Sequence, residues 1–174
     1  ADYQKQVSAS LAWLTDAHEF AGELDQALAE RERQLRILGS VGRLDPLDQR
    51  DAMTAHYAMG RLLASLGQAE AGLREFEAGV AISESLYKIE PDNTEWLQAG
   101  VDGRFHLADA QLGLGKVEEA ARTTRSACDI VGRLAQRDTT VANWRARLQV
   151  ICLNLRSKIA VRTGNITQGL ALAR

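Results

Sequence analysis

Small and apolar residues along this chain are keyed to four glycines, Gly22, Gly67, Gly115 and Gly164, each of which opens the same short phrase. The phrases run from Gly22 to Leu28, Gly67 to Leu73, Gly115 to Ala121 and Gly164 to Leu170. Two residues after the glycine stands Leu24, Ala69, Val117 or Ile166, and four further on Leu28, Leu73, Ala121 or Leu170. That spacing returns to one side of a helix, so these positions predict the buried stripe of a helix that follows each glycine. The glycines are 45, 48 and 49 residues apart, which makes the pattern an internal repeat.

Glycine accepts the left-handed backbone that closes a helix, so each phrase marks a helix–turn–helix unit. The longer connections fall elsewhere, at Asp45-Pro46, at Glu90 to Asn93 and at Gln136 to Thr139. Asp45 before Pro46 has the form of an N-cap followed by proline at the first helical position. Asp92 with Glu95 has the spacing of a capping box. The pattern predicts helices over 2–21, 24–41, 46–66, 69–89, 93–114, 117–136, 140–163 and 166–173. These form four antiparallel hairpins in one all-α domain spanning 1–174. The repeats run over about 1–45, 46–91, 92–138 and 139–174, the last truncated, which makes about three and a half.

Two positions stay small in every copy. Seven residues before the glycine stand Thr15, Gly60, Ala108 and Ser157, and five after it Ala27, Gly72, Ala120 and Gly169. A slot that is small on both helices predicts a close crossing, because large side chains would hold the axes apart. Tyr3, Trp96 and Trp144 lie 19 or 20 residues before their glycines and are expected to fill the seams between successive hairpins.

Composition narrows the function. An apolar fraction of 45% with 25% charged residues indicates a folded chain rather than a disordered one. A net charge of −2 with the signs interspersed gives no case for binding nucleic acid or an anionic membrane. No apolar run approaches the roughly 18 residues that suggest a membrane span, and the first residues lack the apolar stretch of a signal peptide. A cytoplasmic location is therefore expected. The chain begins without Met and stops ten residues after the fourth glycine, and it reads as a piece of a longer protein.

Candidate chemistry is sparse. Cys128 and Cys152 form no CxxC and have no nearby histidine pair, so they read as buried free thiols rather than metal ligands or a disulfide. Gly113-Leu-Gly115-Lys116 resembles the end of a phosphate-binding loop, but Val117 follows the lysine where Ser or Thr is needed. His18, His56 and His106 fall in three different repeats without HExxH or a carboxylate at ligand spacing, and no serine lies in a GxSxG phrase. No enzyme, no metal and no cofactor is expected.

Laid out this way, the chain resembles the tetratricopeptide repeat family. Gly60, Gly67, Phe76 and Pro91 match its pattern in the second repeat, Ala108, Gly115, Ala120 and Ala127 in the third, and Leu14, Gly22, Ala27 and Pro46 in the first. It departs in length, since the usual unit is about 34 residues, and in Gly72 and Gly79, which stand where alanine is preferred. The longer unit is similar to the long-helix repeats of multidomain bacterial signalling proteins. The resemblance implies a right-handed superhelical solenoid whose first helices line a concave face. It also implies a scaffold function, binding a peptide or helical segment of a protein partner on that face within a larger signalling or regulatory protein.

Positions ten, six and three before each glycine share one side of the first helices. They are Ala12, Asp16, Glu19; Tyr57, Arg61, Ala64; Phe105, Asp109, Leu112; and Asn154, Lys158, Val161. The partner-binding candidates drawn from them are Asp16, Tyr57, Arg61, Phe105, Asp109, Asn154 and Lys158. Tyr57 and Phe105 read as aromatic anchors. The alternating signs of Asp16, Arg61, Asp109 and Lys158 either orient a ligand or pair with each other, as Asp16 with Arg61 and Asp109 with Lys158. Ala12, Asp16 and Tyr57 stand where the chaperone-tail clamps of this family need donors, so that partner is not expected. Self-association into a homo-oligomer and a ligand- or peptide-responsive sensor domain are the alternative functions.

Overall fold

The computed structural model describes residues 2–40, 44–137 and 144–172. Among the described residues the structure is helix joined by short turns, with no strand. The helices are α1 (Asp2–Ala21), α2 (Leu24–Ser40), α3 (Pro46–Ser65), α4 (Ala69–Ile89), α5 (Thr94–Gly113), α6 (Val117–Arg137), α7 (Gln149–Arg162) and α8 (Ile166–Leu172). A π-helical turn, Trp144–Leu148, leads into α7. The chain forms two compact units, Ala1–Ile89 and Glu90–Arg174. In the first, α1 packs on α2, α2 on α3 and α3 on α4; in the second, α5 packs on α6, α6 on α7 and α7 on α8.

All four turns are built alike. Gly22, Gly67, Gly115 and Gly164 have φ of 77, 77, 75 and 83°. The residue after each glycine donates its N–H to a carbonyl five residues back: Glu23 to His18 at 2.9 Å, and Gln68 to Leu63, Lys116 to Gln111 and Asn165 to Ala160 at 2.8 Å each. Each glycine N–H donates three residues back, to Glu19, Ala64, Leu112 and Val161, at 3.1 Å. These bonds satisfy carbonyls that the helix end would leave open, and the left-handed glycine makes the geometry possible.

The small slot is where the paired helices touch. A Cβ added at Gly72 would lie 2.7 Å from the carbonyl oxygen of Gly60, so α3 and α4 meet there backbone to backbone. A Cβ at Gly60 would lie 2.6 Å from the ring of Phe76, and one at Gly79 would strike the ring of Tyr57. Residue numbers rise on one helix as they fall on the other through these contacts, so the hairpin is antiparallel. In α7 and α8 the Ser157 hydroxyl donates to the carbonyl of Gly169 at 2.6 Å. Thr15, Ala27, Ala108 and Ala120 hold the same register positions and are fully buried.

Four expectations are corrected. The buried stripe of the second helices runs five, nine, twelve and sixteen residues after the glycine, not two and six. It comprises Ala27, Arg31, Gln34 and Leu38 in α2; Gly72, Phe76, Gly79 and Ser83 in α4; and Ala120, Thr124, Ala127 and Val131 in α6. Of the residues expected in that stripe, only Leu73 is buried, while Ile166 and Leu170 are exposed. The cap of α5 is Asn93 rather than Asp92, its side chain accepting from the N–H groups of Glu95 and Trp96, whereas Asp45 caps α3 as expected. Trp96 is buried, but Tyr3 is 78% exposed and fills no seam; the side chain of Trp144 lies outside the described residues.

The cysteines are the fourth correction: Cys128 and Cys152 form a disulfide, with Cα atoms 5.7 Å apart. Cys128 is thirteen residues after Gly115 and Cys152 twelve before Gly164. In the first unit these positions are Leu35 and Ala55, which belong to the apolar cluster of Leu38, Ala52, Ala55, Leu35, Leu44 and Ile82. The disulfide thus stands where hydrophobic packing joins successive hairpins.

Three perturbations test this packing. Gly72→Ala is expected to cost about 1–3 kcal/mol by forcing the backbones apart. Gly132→Ala, at a helical glycine with nothing within 4 Å of the added atom, is expected to gain up to about 1 kcal/mol from helix propensity. Urea denaturation reads both. Reducing the disulfide is expected to remove about 3 kcal/mol of stability, as for closed loops of comparable length, with intact-mass analysis showing the two hydrogens gained.

Candidate binding groove

The seven candidate residues fall into two sets, one in each unit. In the first unit, Tyr57 is only 7% exposed, and its ring lies against Gly79. It is a packing residue of the α3–α4 hairpin rather than an open anchor. Asp16 does not pair with Arg61. Its carboxylate accepts from the Arg31 guanidinium at 3.2 Å, and Glu19 stands 3.9 Å from the same group.

Arg31 occupies the buried register position that Phe76 and Thr124 hold in the other repeats, which explains why it takes these carboxylates. Burial favours its neutral form and lowers its pKa, while Asp16 and then Glu19 oppose that shift. Gln34 accepts a further bond from Arg31 at 2.6 Å. Arg61 is exposed, and no carboxylate lies within ion-pair distance of it among the described residues. The charges expected to meet a ligand on α1 are therefore largely used inside the hairpin.

In the second unit the remaining candidates converge. Phe105, Asp109, Asn154 and Lys158 all line one cleft of about 270 Å³ between α5 and α7, together with Asp102, His106, Arg147, Ile151 and Leu155. Phe105 is 6% exposed and gives the cleft apolar lining with Ile151 and Leu155. Lys158 donates to Asp109 at 2.6 Å, the intramolecular pairing anticipated from the alternating signs. Arg147 reaches Asp102 at 3.2 Å from the π-helical turn.

Asp102 is raised above the ordinary aspartate pKa by burial, with Arg147 and then His106 acting in the opposite direction. Desolvation outweighs these influences because Asp102 is partly buried, whereas Arg147 is more exposed and its charge is better screened by solvent. The exposed pairs across this cleft contribute about 0.2–1 kcal/mol each, so they open at little cost to an incoming charged segment. Among the described residues no cluster of His, Cys, Asp and Glu can hold a metal ion, and no helix is long and apolar enough to cross a membrane.

Sequence reasoning missed Asp102, His106, Arg147 and Ile151. Asp102 and Ile151 lie thirteen residues before their glycines, one turn upstream of the stripe defined by Phe105 and Asn154, and extending that stripe would have found them. His106 lies beside that stripe and lines the same cleft. Arg147 carried no signal, because the π-helical turn changes the register by which a regular helix would have placed it. His18 and His56 each contact a glutamate, Glu23 at 2.6 Å and Glu75 at 2.7 Å, and neither lines the α5–α7 cleft.

No family model matches the chain, and no curated protein is significantly similar to it in sequence.

The electrostatic account of the cleft has a direct check. Arg147→Met removes the larger of the two opposing influences and is expected to raise the Asp102 pKa further. Carboxyl carbon NMR would read this as an Asp102 midpoint that moves to higher pH, whereas an unchanged midpoint would contradict the pairing.

Proposed function

We propose that this chain is a long-helix, tetratricopeptide-like repeat array, a right-handed solenoid of antiparallel hairpins that binds an extended segment of a protein partner along its first helices. The four matching glycine turns and the small slot between paired helices support the repeat reading. The α5–α7 cleft carries the binding reading, since Phe105, Asp109, Asn154 and Lys158, four of the seven candidates drawn from the resemblance and the register, line a single cavity.

The cleft favours a particular kind of ligand. Its carboxylates and cations alternate and largely neutralise each other, so a strongly charged partner gains little. A segment that places an apolar side chain against Phe105, Ile151 and Leu155, and exchanges its own charges for the Asp102–Arg147 and Asp109–Lys158 pairs, satisfies every group present. Helix hairpins packed in advance present such a surface with little ordering cost to the receptor, which is the general advantage of preorganisation. The parent protein on this reading is a signalling or regulatory protein, and the array is its docking module.

A second reading, self-association, is favoured by a different observation. Tyr3, Trp13 and Phe20 on α1 are 78, 77 and 97% exposed. Trp13 and Phe20, seven residues apart, share one side of α1, and a contiguous exposed apolar patch marks an interaction surface.

A random peptide library selected on the 174-residue protein tests the primary reading. Binders are expected to shift the NMR signals of Phe105, His106 and Asn154, and to lose about tenfold in affinity with Asn154→Ala or Lys158→Ala, as truncation of a contributing interface residue does. Binders indifferent to both substitutions would contradict it. Sedimentation over a concentration series separates self-association, for which mass would rise with concentration and Trp13→Ala would stop the rise.

A further inference from the structure

A second cleft, of about 470 Å³, lies on the other side of α7, between α6, α7 and α8, and none of its residues belongs to the proposed peptide groove. Arg125 on α6 and Arg156 on α7 both line it, with Gln168 from α8 and Asp129 at one side. Neither arginine has a carboxylate within ion-pair distance among the described residues, although Asp129 is one turn from Arg125. Thr124 lines the same cleft, is 1% exposed, and its hydroxyl has no hydrogen-bond partner among the described residues.

The disulfide explains why two unpaired cations remain close to one cleft. Arg125 precedes Cys128 by three residues and Arg156 follows Cys152 by four, so each arginine stands one helical turn from the covalent link between its helices. The link fixes the backbones of α6 and α7 that carry the two arginines. A fixed pair of planar, always-charged donors suits an oxyanion. The buried Thr124 hydroxyl lies at a wall that a ligand oxygen would complete.

From this geometry we infer that the α6–α7–α8 cleft is a binding site for a small molecule bearing an oxyanion, phosphate or carboxylate. Arg125 and Arg156 hold the anion, Gln168 accepts from or donates to the remainder of the ligand, and the Asp129 carboxylate accepts from a hydroxyl or amine on it. The volume exceeds that of a single anion, so the ligand is an organic phosphate or polycarboxylate rather than a free ion. This site is independent of the peptide reading, and either can fail alone.

The test is an NMR titration of the full chain with inorganic phosphate and, separately, citrate, against sodium chloride at equal ionic strength. Saturable shifts at Thr124, Arg125, Arg156 and Gln168 are expected with at least one oxyanion, and the tighter of the two identifies phosphate or carboxylate chemistry. Arg125→Gln and Arg156→Gln, both at exposed positions, are each expected to weaken binding about tenfold without altering helicity, the scale of a lost charge-assisted bond. Reduction of the disulfide is expected to weaken binding in protein that remains helical. Shifts spread evenly over other surface arginines such as Arg33, Arg36 and Arg122, or binding indifferent to both substitutions, would overturn the site. Equal affinity in oxidised and reduced protein would overturn the role of the covalent link.

Discussion

Close approach at the small slot of each hairpin, backbone to backbone where glycine occupies it, is the constraint on which the rest of this structure depends. At Gly72 and Gly60 the distance leaves no room for a single methyl group. Helices that close do not need large side chains to bridge them, so aromatic rings can lie flat across the neighbouring helix. Phe76 over Gly60 and Tyr57 over Gly79 are two such cases, each ring filling the space that a missing side chain vacates. The glycine turns make this approach repeatable, because a left-handed residue reverses the chain within a few residues and the same hydrogen bonds recur in all four copies.

Register then assigns work to the remaining positions. Residues facing the paired helix are small or aromatic in compensation, and those facing the next hairpin are apolar in the first unit. At one such seam position in the second unit the apolar contact is replaced by a disulfide. The residues left over on the first helices form the lining of the α5–α7 cleft. In the first unit the matching residues of α1, Asp16 and Glu19, are engaged by Arg31, a buried cation on α2. A single substitution at a core register position thereby changes what the outer face can offer to a ligand.

Much of this was legible in the sequence, and the failures have identifiable causes. The helices and turns were readable because each glycine repeats with its surroundings, and the helix bounds at Ala21, Ala69, Ile89, Val117 and Ile166 follow directly from that. Burial of the second helices was misplaced because Leu24 and Leu28 are more apolar than Arg31 and Gln34, although the latter occupy the inner face. Composition cannot reveal that a small residue is buried by proximity rather than by hydrophobicity. The disulfide was missed because spacing along the chain carries no distance, whereas the register of Leu35 and Ala55 shows that the same positions are neighbours across a seam. Tyr57 was assigned to the groove by its helical face, but the absence of a side chain at Gly79 draws the ring into the hairpin.

The central claim is the close crossing at the small slot, and nuclear Overhauser spectroscopy of the folded protein examines it most directly. The account predicts cross-peaks from the Gly72 α-protons to Gly60, from the Gly60 α-protons to the Phe76 ring and from the Gly79 α-protons to the Tyr57 ring. A folded, helical protein lacking all three would contradict the close crossing of α3 and α4 and the register read from it.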